Sequence, residues 1–149
     1  MEKFVELVRA LGDEMGLQVT WQPVSPIEFV VDGLTLVISL DRRSDADAVV
    51  LYCELGEVPT EREIEVYRIL LEANMMWSGT GDATLAVNSA TRQALLCYRL
   101  PTTGVEGPAF IGVVAAFATL ARSWRDFIAA AHEEIATPKV PQRQGMIVG

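Results

Sequence analysis

The single histidine of this chain, His132, and its two cysteines, Cys53 and Cys97, have the widest chemical repertoire of any residues in the sequence. Their spacing decides what they can do. A nucleophilic triad needs a base beside a nucleophile and an acid to orient it. His132 stands where the last helical pattern gives way to a polar tail, and no G-x-S-x-G turn, H-E-x-x-H pair or Walker glycine loop occurs anywhere. It reads as a residue of a helix end. Cys53 and Cys97 each fall inside an apolar, strand-like run, with no C-x-x-C pair and no histidine near them in sequence. They read as buried structural thiols. Asp41, Asp45 and Asp47 gather carboxylates in one loop, but the glycine and closing glutamate of an EF-hand are missing, so a solvated turn accounts for them. Gly79-Thr80-Gly81 follows a helical pattern instead of preceding one, which leaves no helix N-terminus to face an anion. The inventory predicts no enzymatic activity, no metal and no cofactor.

What remains is a question of surfaces. At 149 residues, half of them hydrophobic and 21% charged, the chain is long enough for one domain with its own core and too apolar for wholesale disorder. Twelve Lys and Arg against twenty Asp and Glu give a formal charge of −8, which repels the phosphate backbone of nucleic acids. Nucleic acid is excluded as a partner. The imbalance is local: Asp45, Asp47, Glu54, Glu57, Glu61, Glu63, Glu65, Glu72 and Asp82 face only Arg62 and Arg68 between Ser44 and Ala90. This is a solvated acidic face, able also to steer a basic partner. The longest uncharged stretch of the apolar C-terminal half, Gly107 to Ala121, has 15 residues, short of the ~20 a bilayer crossing needs. With Met1-Glu2-Lys3-Phe4 lacking the features of a signal peptide, the expectation is a soluble cytoplasmic protein with no membrane partner.

The elements that position these surfaces follow from periodicity. Phe4, Leu7, Val8, Leu11 and Met15 recur at helical spacing from Glu2 to Met15, and Gly16 supplies the stop. Leu17, Val19 and Trp21 alternate like a strand, but Pro23 and Pro26 favour an extended loop from Leu17 to Ser25. Ile27 to Val31 and Leu34 to Leu40 flank Asp32-Gly33, a dipeptide that tolerates the positive φ angles of a two-residue hairpin turn. A third strand, Ala48 to Leu55, ends at Gly56. Thr60-Glu61-Arg62-Glu63 has the form of a capping box and predicts a helix running to about Trp77. The second half of that helix is apolar nearly all round, a surplus that calls for cover on two sides. Ala83 to Val87 and Gln93 to Leu100 are two further strands, and Gly107-Pro108 opens a long helix to about Ala131. The expected fold is α+β, an antiparallel twisted sheet with three helices in the order α-β-β-β-α-β-β-α. Its domain spans 1–132, and 133–149 forms a flexible C-terminal tail ending in an apolar Met146-Ile147-Val148.

That order, together with Leu70-Leu71-Glu72-Ala73-Asn74-Met75-Met76-Trp77, Gly79-Thr80-Gly81-Asp82-Ala83-Thr84-Leu85 and the late Trp124-Arg125, resembles the CesT-type class I chaperones of bacterial type III secretion from Met1 to about His132. The resemblance implies a cytoplasmic bacterial homodimer without nucleotide or metal. It would bind the N-terminal chaperone-binding segment of a secreted effector, keep it secretion-competent and deliver it to the secretion apparatus. A secretion ATPase or a regulatory protein would be a further partner. The alternative is a regulatory protein-binding module of the same fold, either a chaperone that sequesters an anti-activator or a YbjN-like domain. For the dimer interface the over-apolar second helix offers Tyr67, Leu70, Leu71, Asn74 and Met75. For the effector, Phe4, Leu7, Val8 and Leu11 on the first helix and Phe29, Val31, Leu36 and Ile38 on the strands are expected to form a groove and its floor.

Overall fold

In the computed structural model the described residues are 1–16, 26–43 and 47–136. The loop expected from Leu17 to Ser25, Asp45, and the tail beyond Ala136 lie outside them. The elements are α1 (Glu2–Glu14), β1 (Ile27–Val31), β2 (Leu34–Asp41), β3 (Ala48–Glu57), α2 (Glu63–Asn74), β4 (Thr84–Val87), β5 (Gln93–Pro101) and α3 (Gly107–Ala136). The five strands form one antiparallel sheet in the order β1-β2-β3-β5-β4.

Register explains which side chains meet. Phe29, Leu36, Cys53, Leu96 and Leu85 lie side by side across all five strands, and every one is buried. Strand residues alternate between faces, so the neighbouring row of Glu28, Val37, Tyr52, Cys97 and Thr84 points the other way. Cys53 and Cys97 therefore stand on opposite faces of the sheet. Burial pushes both thiols above their ordinary pKa, which holds them protonated.

One face of the sheet is covered by α3, which crosses β3 and β2, while α1 packs on α3. Phe4, Leu7, Val8 and Leu11 of α1 join Phe110, Val114, Phe117, Ala121 and Ile128 of α3 in a single core with the strands. The two helices meet closely: a Cβ on Gly107 would lie 3.0 Å from the Cβ of Ala10, and Lys3 Nζ lies 3.5 Å from Glu106 Oε2. By length and composition α3 could cross a bilayer. Here its buried stripe lies on the sheet, and Arg122 and Arg125 bond to Asp32 and to the Gly33 carbonyl of the β1–β2 turn.

Several boundaries differ from expectation. Strand β3 does not stop at Gly56: a bulge between Glu54 and Gly56 carries it to Glu57. Gly56 takes a φ of +124° there with Ile128 Cγ2 only 3.1 Å from where a Cβ would stand, so glycine lets the strand bend beneath α3. The capping box does not form. Thr60–Arg62 is a 3₁₀ turn, α2 starts at Glu63 without a side-chain cap, and the Glu63 carboxylate faces Arg92 Nη1 at 3.4 Å instead of reaching back to Thr60. Helix α2 ends at Asn74, three residues early, because Met75 turns extended with ψ 115° and Met76 and Trp77 then adopt left-handed φ angles of 52° and 56°. Helix α3 continues past Ala131 to Ala136, so His132 lies within it, and its Nε2 meets the Glu57 carbonyl.

Candidate functional site

Two surfaces stand out among the described residues, an exposed apolar turn after α2 and the outer edge of β1, and the residues that frame them are not all those the sequence singles out. Phe4, Leu7, Val8, Leu11, Phe29, Leu36 and Ile38, expected to line an effector groove, are at most 3% exposed. Helix α3 fills the place where the groove was expected. Alternation and helical spacing identify the buried face correctly, but periodicity alone cannot tell a face buried by its own domain from one that awaits a ligand. Val31, at the end of β1, is half-buried.

The outer side of this same hairpin carries backbone that no described strand covers. Asp32 and Gly33 adopt φ of 49° and 79°, the two positive angles of a tight hairpin turn. Such a turn closes on the Val31–Leu34 pair, so the backbone of Val31, Phe29 and Ile27 faces β2. Glu28 and Val30 then present N–H and C=O outward, where no described strand pairs with them. The Val30 side chain is 66% exposed beside them.

The opposite edge, β4, is occupied by α2. Asn88 N donates to Gln93 O at 2.9 Å, so Asn88, Ala86 and Thr84 face β5 while Val87 and Leu85 face outward. The Asn74 side chain meets Leu85 there: its Nδ2 donates to the Leu85 carbonyl and the Leu85 N–H donates to its Oδ1, each at 2.9 Å. Ala83 N donates to Thr80 O at 2.9 Å. Leu70 is buried, Tyr67 half-buried, and both pack against β4 in a cleft of about 260 Å³ shared with Leu71, Leu85, Ala86 and Val87.

Of the five residues expected at a dimer interface, Leu71 and Met75 are exposed, whereas Leu70 is buried and the amide of Asn74 bonds to Leu85 within the chain. Sequence reasoning missed Ile64, Met76 and Trp77 as candidates, the last two because the α-helix was expected to continue through them. The turn displays these two side chains outward, 81% and 53% exposed. Its ends are locked: Gly79 N donates to Ala73 O at 2.9 Å and Trp124 Nε1 donates to Gly79 O at 3.0 Å. Glu65 and Glu72 of α2 and Asp82 of the segment after it are exposed carboxylates, as is Glu61 in the 3₁₀ turn before the helix. A third apolar feature, a groove of about 520 Å³, runs between Val113, Phe117 and Leu120 of α3 and Tyr98 of β5.

Asp41 at the end of β2 and Asp47 just before β3 are both paired with cationic groups. Asp41 is almost fully buried and accepts from Arg43 Nε at 2.8 Å and Arg99 Nε at 2.9 Å. Hydrogen bonds from Arg43 and then Arg99 hold its carboxyl far below the usual range. Asp47 pairs with the N-terminal amine of Met1.

The same architecture occurs in solved structures. A chain of the ExsC–ExsE complex superposes with a TM-score of 0.69 at 13% identity, covering 85% of this chain and 93% of that one. A chain of the heterodimeric ExoU–SpcU complex from the type III secretion system of Pseudomonas aeruginosa gives 0.62 at 18% identity over 83% and 94%. A chain of the Yersinia pestis type III secretion chaperone SycH in complex with a stable fragment of YscM2 gives 0.62 at 15% over 81% and 98%. At these identities the likeness establishes the fold. Comparison with curated proteins finds no match. The model of a family of chaperones matches residues 6–125, across α1 to the Trp124-Arg125 pair, and the chain belongs to the Tir chaperone protein (CesT) family.

Proposed function

We propose that the protein is a cytoplasmic, non-enzymatic type III secretion chaperone that works as a homodimer. It holds the N-terminal segment of a secreted effector in extended, secretion-competent form and delivers it to the secretion apparatus. Family membership supports this reading, as do solved structures of the same fold, one a heterodimeric complex from a type III secretion system and one a type III secretion chaperone in complex with a fragment of another protein. The observation that carries it is the outer edge of β1, where Glu28 and Val30 offer backbone donors and acceptors to an added strand and Val30 offers an apolar contact. Strand addition draws affinity from main-chain hydrogen bonds and tolerates varied side chains, which suits a chaperone handling an unfolded segment.

The dimer reading is supported by the exposed Met75-Met76-Trp77 segment, which follows directly on α2, and by the cleft that α2 forms with β4. In a two-fold interface the same patch appears on both subunits, so an exposed segment and a cleft carried by one subunit are both repeated on its partner. Calorimetric titration with N-terminal fragments of the effectors secreted by the same bacterium, followed by amide exchange on the complex, tests the function. Binding with new protection at Glu28 and Val30 is expected. Absence of binding to every such fragment would remove the chaperone reading, and binding without protection at β1 would move the cargo elsewhere.

A further inference from the structure

A five-stranded open sheet has two edges, and both are templates for any extended chain. In this protein they are treated differently. At β1 the outward backbone of Glu28 and Val30 meets no described strand. At β4 the outward N–H and C=O of Leu85 are both taken by one side chain, the carboxamide of Asn74, at 2.9 Å each. A primary amide carries a donor and an acceptor side by side, as a peptide group does. Asn74 thus presents to Leu85 the pair of bonds that an incoming strand would offer. The Ala83 N–H is taken by Thr80 O, and the α2 side chains Tyr67 and Leu71 lie beside Val87.

We infer that Asn74 is an edge-blocking residue: it occupies the β4 edge as a one-residue strand mimic, so that the sheet can be extended only at β1. The inference rests on the reading of β1 as the edge where cargo adds, and it gives that edge its selectivity. A chaperone holding extended chains must avoid pairing them, or a second copy of its own sheet, at an unintended edge. Asn74 is the last residue of α2, so the residue that closes the edge stands where the helix ends. Helix propensity does not explain the position. Asparagine is a weak helix former, and its value here lies in the paired donor and acceptor.

The test reads edge pairing directly, without cargo, so its outcome is independent of whether any effector fragment binds. Asn74→Leu keeps similar volume but returns the Leu85 N–H and C=O to the edge. Hydrogen exchange and sedimentation velocity are measured on this variant and on Asn74→Leu/Val87→Pro. Proline at Val87 removes an outward-facing N–H and blocks the edge by other means, since that amide makes no bond to β5. The expected results are at least tenfold faster exchange of the Leu85 amide relative to its β5 neighbours, species larger than the parent assembly, and return to parent size in the double variant. Asn74→Leu that only melts earlier, with unchanged size, would overturn the inference and leave Asn74 an ordinary tertiary contact. Growth that Val87→Pro fails to reverse would overturn it as well, since association would then proceed through exposed apolar surface and not through the strand edge.

Discussion

The indole Nε1 of Trp124 donates to the carbonyl of Gly79 at 3.0 Å, joining the late part of α3 to the turn that follows α2. Forty-five residues separate them in the chain. Both belong to the segments that carry the family resemblance, and the structure makes them one device. Gly79 has no room for a side chain, because a Cβ there would stand 2.8 Å from the Cβ of Ala73. Trp124→Phe keeps an aromatic ring against Phe127, now 5.5 Å away edge-to-face, and loses the hydrogen bond. The expected cost is about 1 kcal/mol. Gly79→Ala should cost about 1–3 kcal/mol by overpacking. Because both changes act on one turn, the double variant should lose less than the sum in urea denaturation.

Asp41 gives the fold a defined acid sensitivity. Its carboxyl titrates far below its unfolded value near 3.9 because Arg43 and Arg99 bond to the ionised form. A depressed folded pKa contributes stability that is present above the unfolded value and is lost as pH falls below it. The melting temperature of the wild type should therefore drop more steeply between pH 5 and pH 2 than that of Asp41→Asn, which should be less stable at pH 7. Parallel profiles for the two proteins would show that the Arg43–Asp41–Arg99 cluster contributes nothing to folding.

Leu71 is 69% exposed within one subunit, and a surface substitution of this kind ordinarily changes stability by no more than about 0.5 kcal/mol. In an interface of roughly 800 Å² per partner it would place an unpaired charge in an apolar contact. Leu71→Asp should leave the unfolding free energy of the isolated subunit nearly unchanged and convert dimers to monomers in sedimentation at micromolar concentration. Trp77→Ala should weaken the same association by about tenfold or more, as large aromatic anchors do. A wild type that sediments as a monomer would remove the dimer.

The α+β order and all five strands were legible because hydrophobic period and turn chemistry agree, most clearly at Asp32-Gly33. What was not legible depended on contacts distant in sequence. The Thr60–Glu63 capping box reads well locally, yet Arg92, 29 residues away, draws the Glu63 carboxylate. Helix α2 looks continuous to Trp77, yet Leu85 takes the Asn74 amide and the chain turns left-handed two residues later. The expected cargo residues show the same limit: Phe4, Leu7 and Phe29 are apolar at the right period for a groove, but that period equally describes the core they fill. A strand edge without a described partner strand has no side-chain signature. Glu28 and Val30 emerge only once the order of the strands is known.

That distinction between core and edge can be measured. Leu7→Ala and Phe29→Ala remove side chains with at most 2% exposure, and each should cost about 2–5 kcal/mol of stability, so any loss of effector binding in them would follow from unfolding. Val30→Pro behaves differently. Its N–H faces outward and belongs to no ladder within the sheet, so proline there deletes a donor from the edge without breaking a bond to β2. The melting temperature should stay within a few degrees of wild type. Affinity for an effector's N-terminal fragment, measured by calorimetry, should fall by about tenfold or more, since the lost main-chain bond is joined by a steric block to close pairing. Val30→Thr, which keeps the backbone donor and the β-branched shape, should bind within about threefold of wild type. Equal weakening by proline and threonine would assign the effect to the side chain, and undiminished binding by Val30→Pro would exclude the β1 edge as the place where cargo is held.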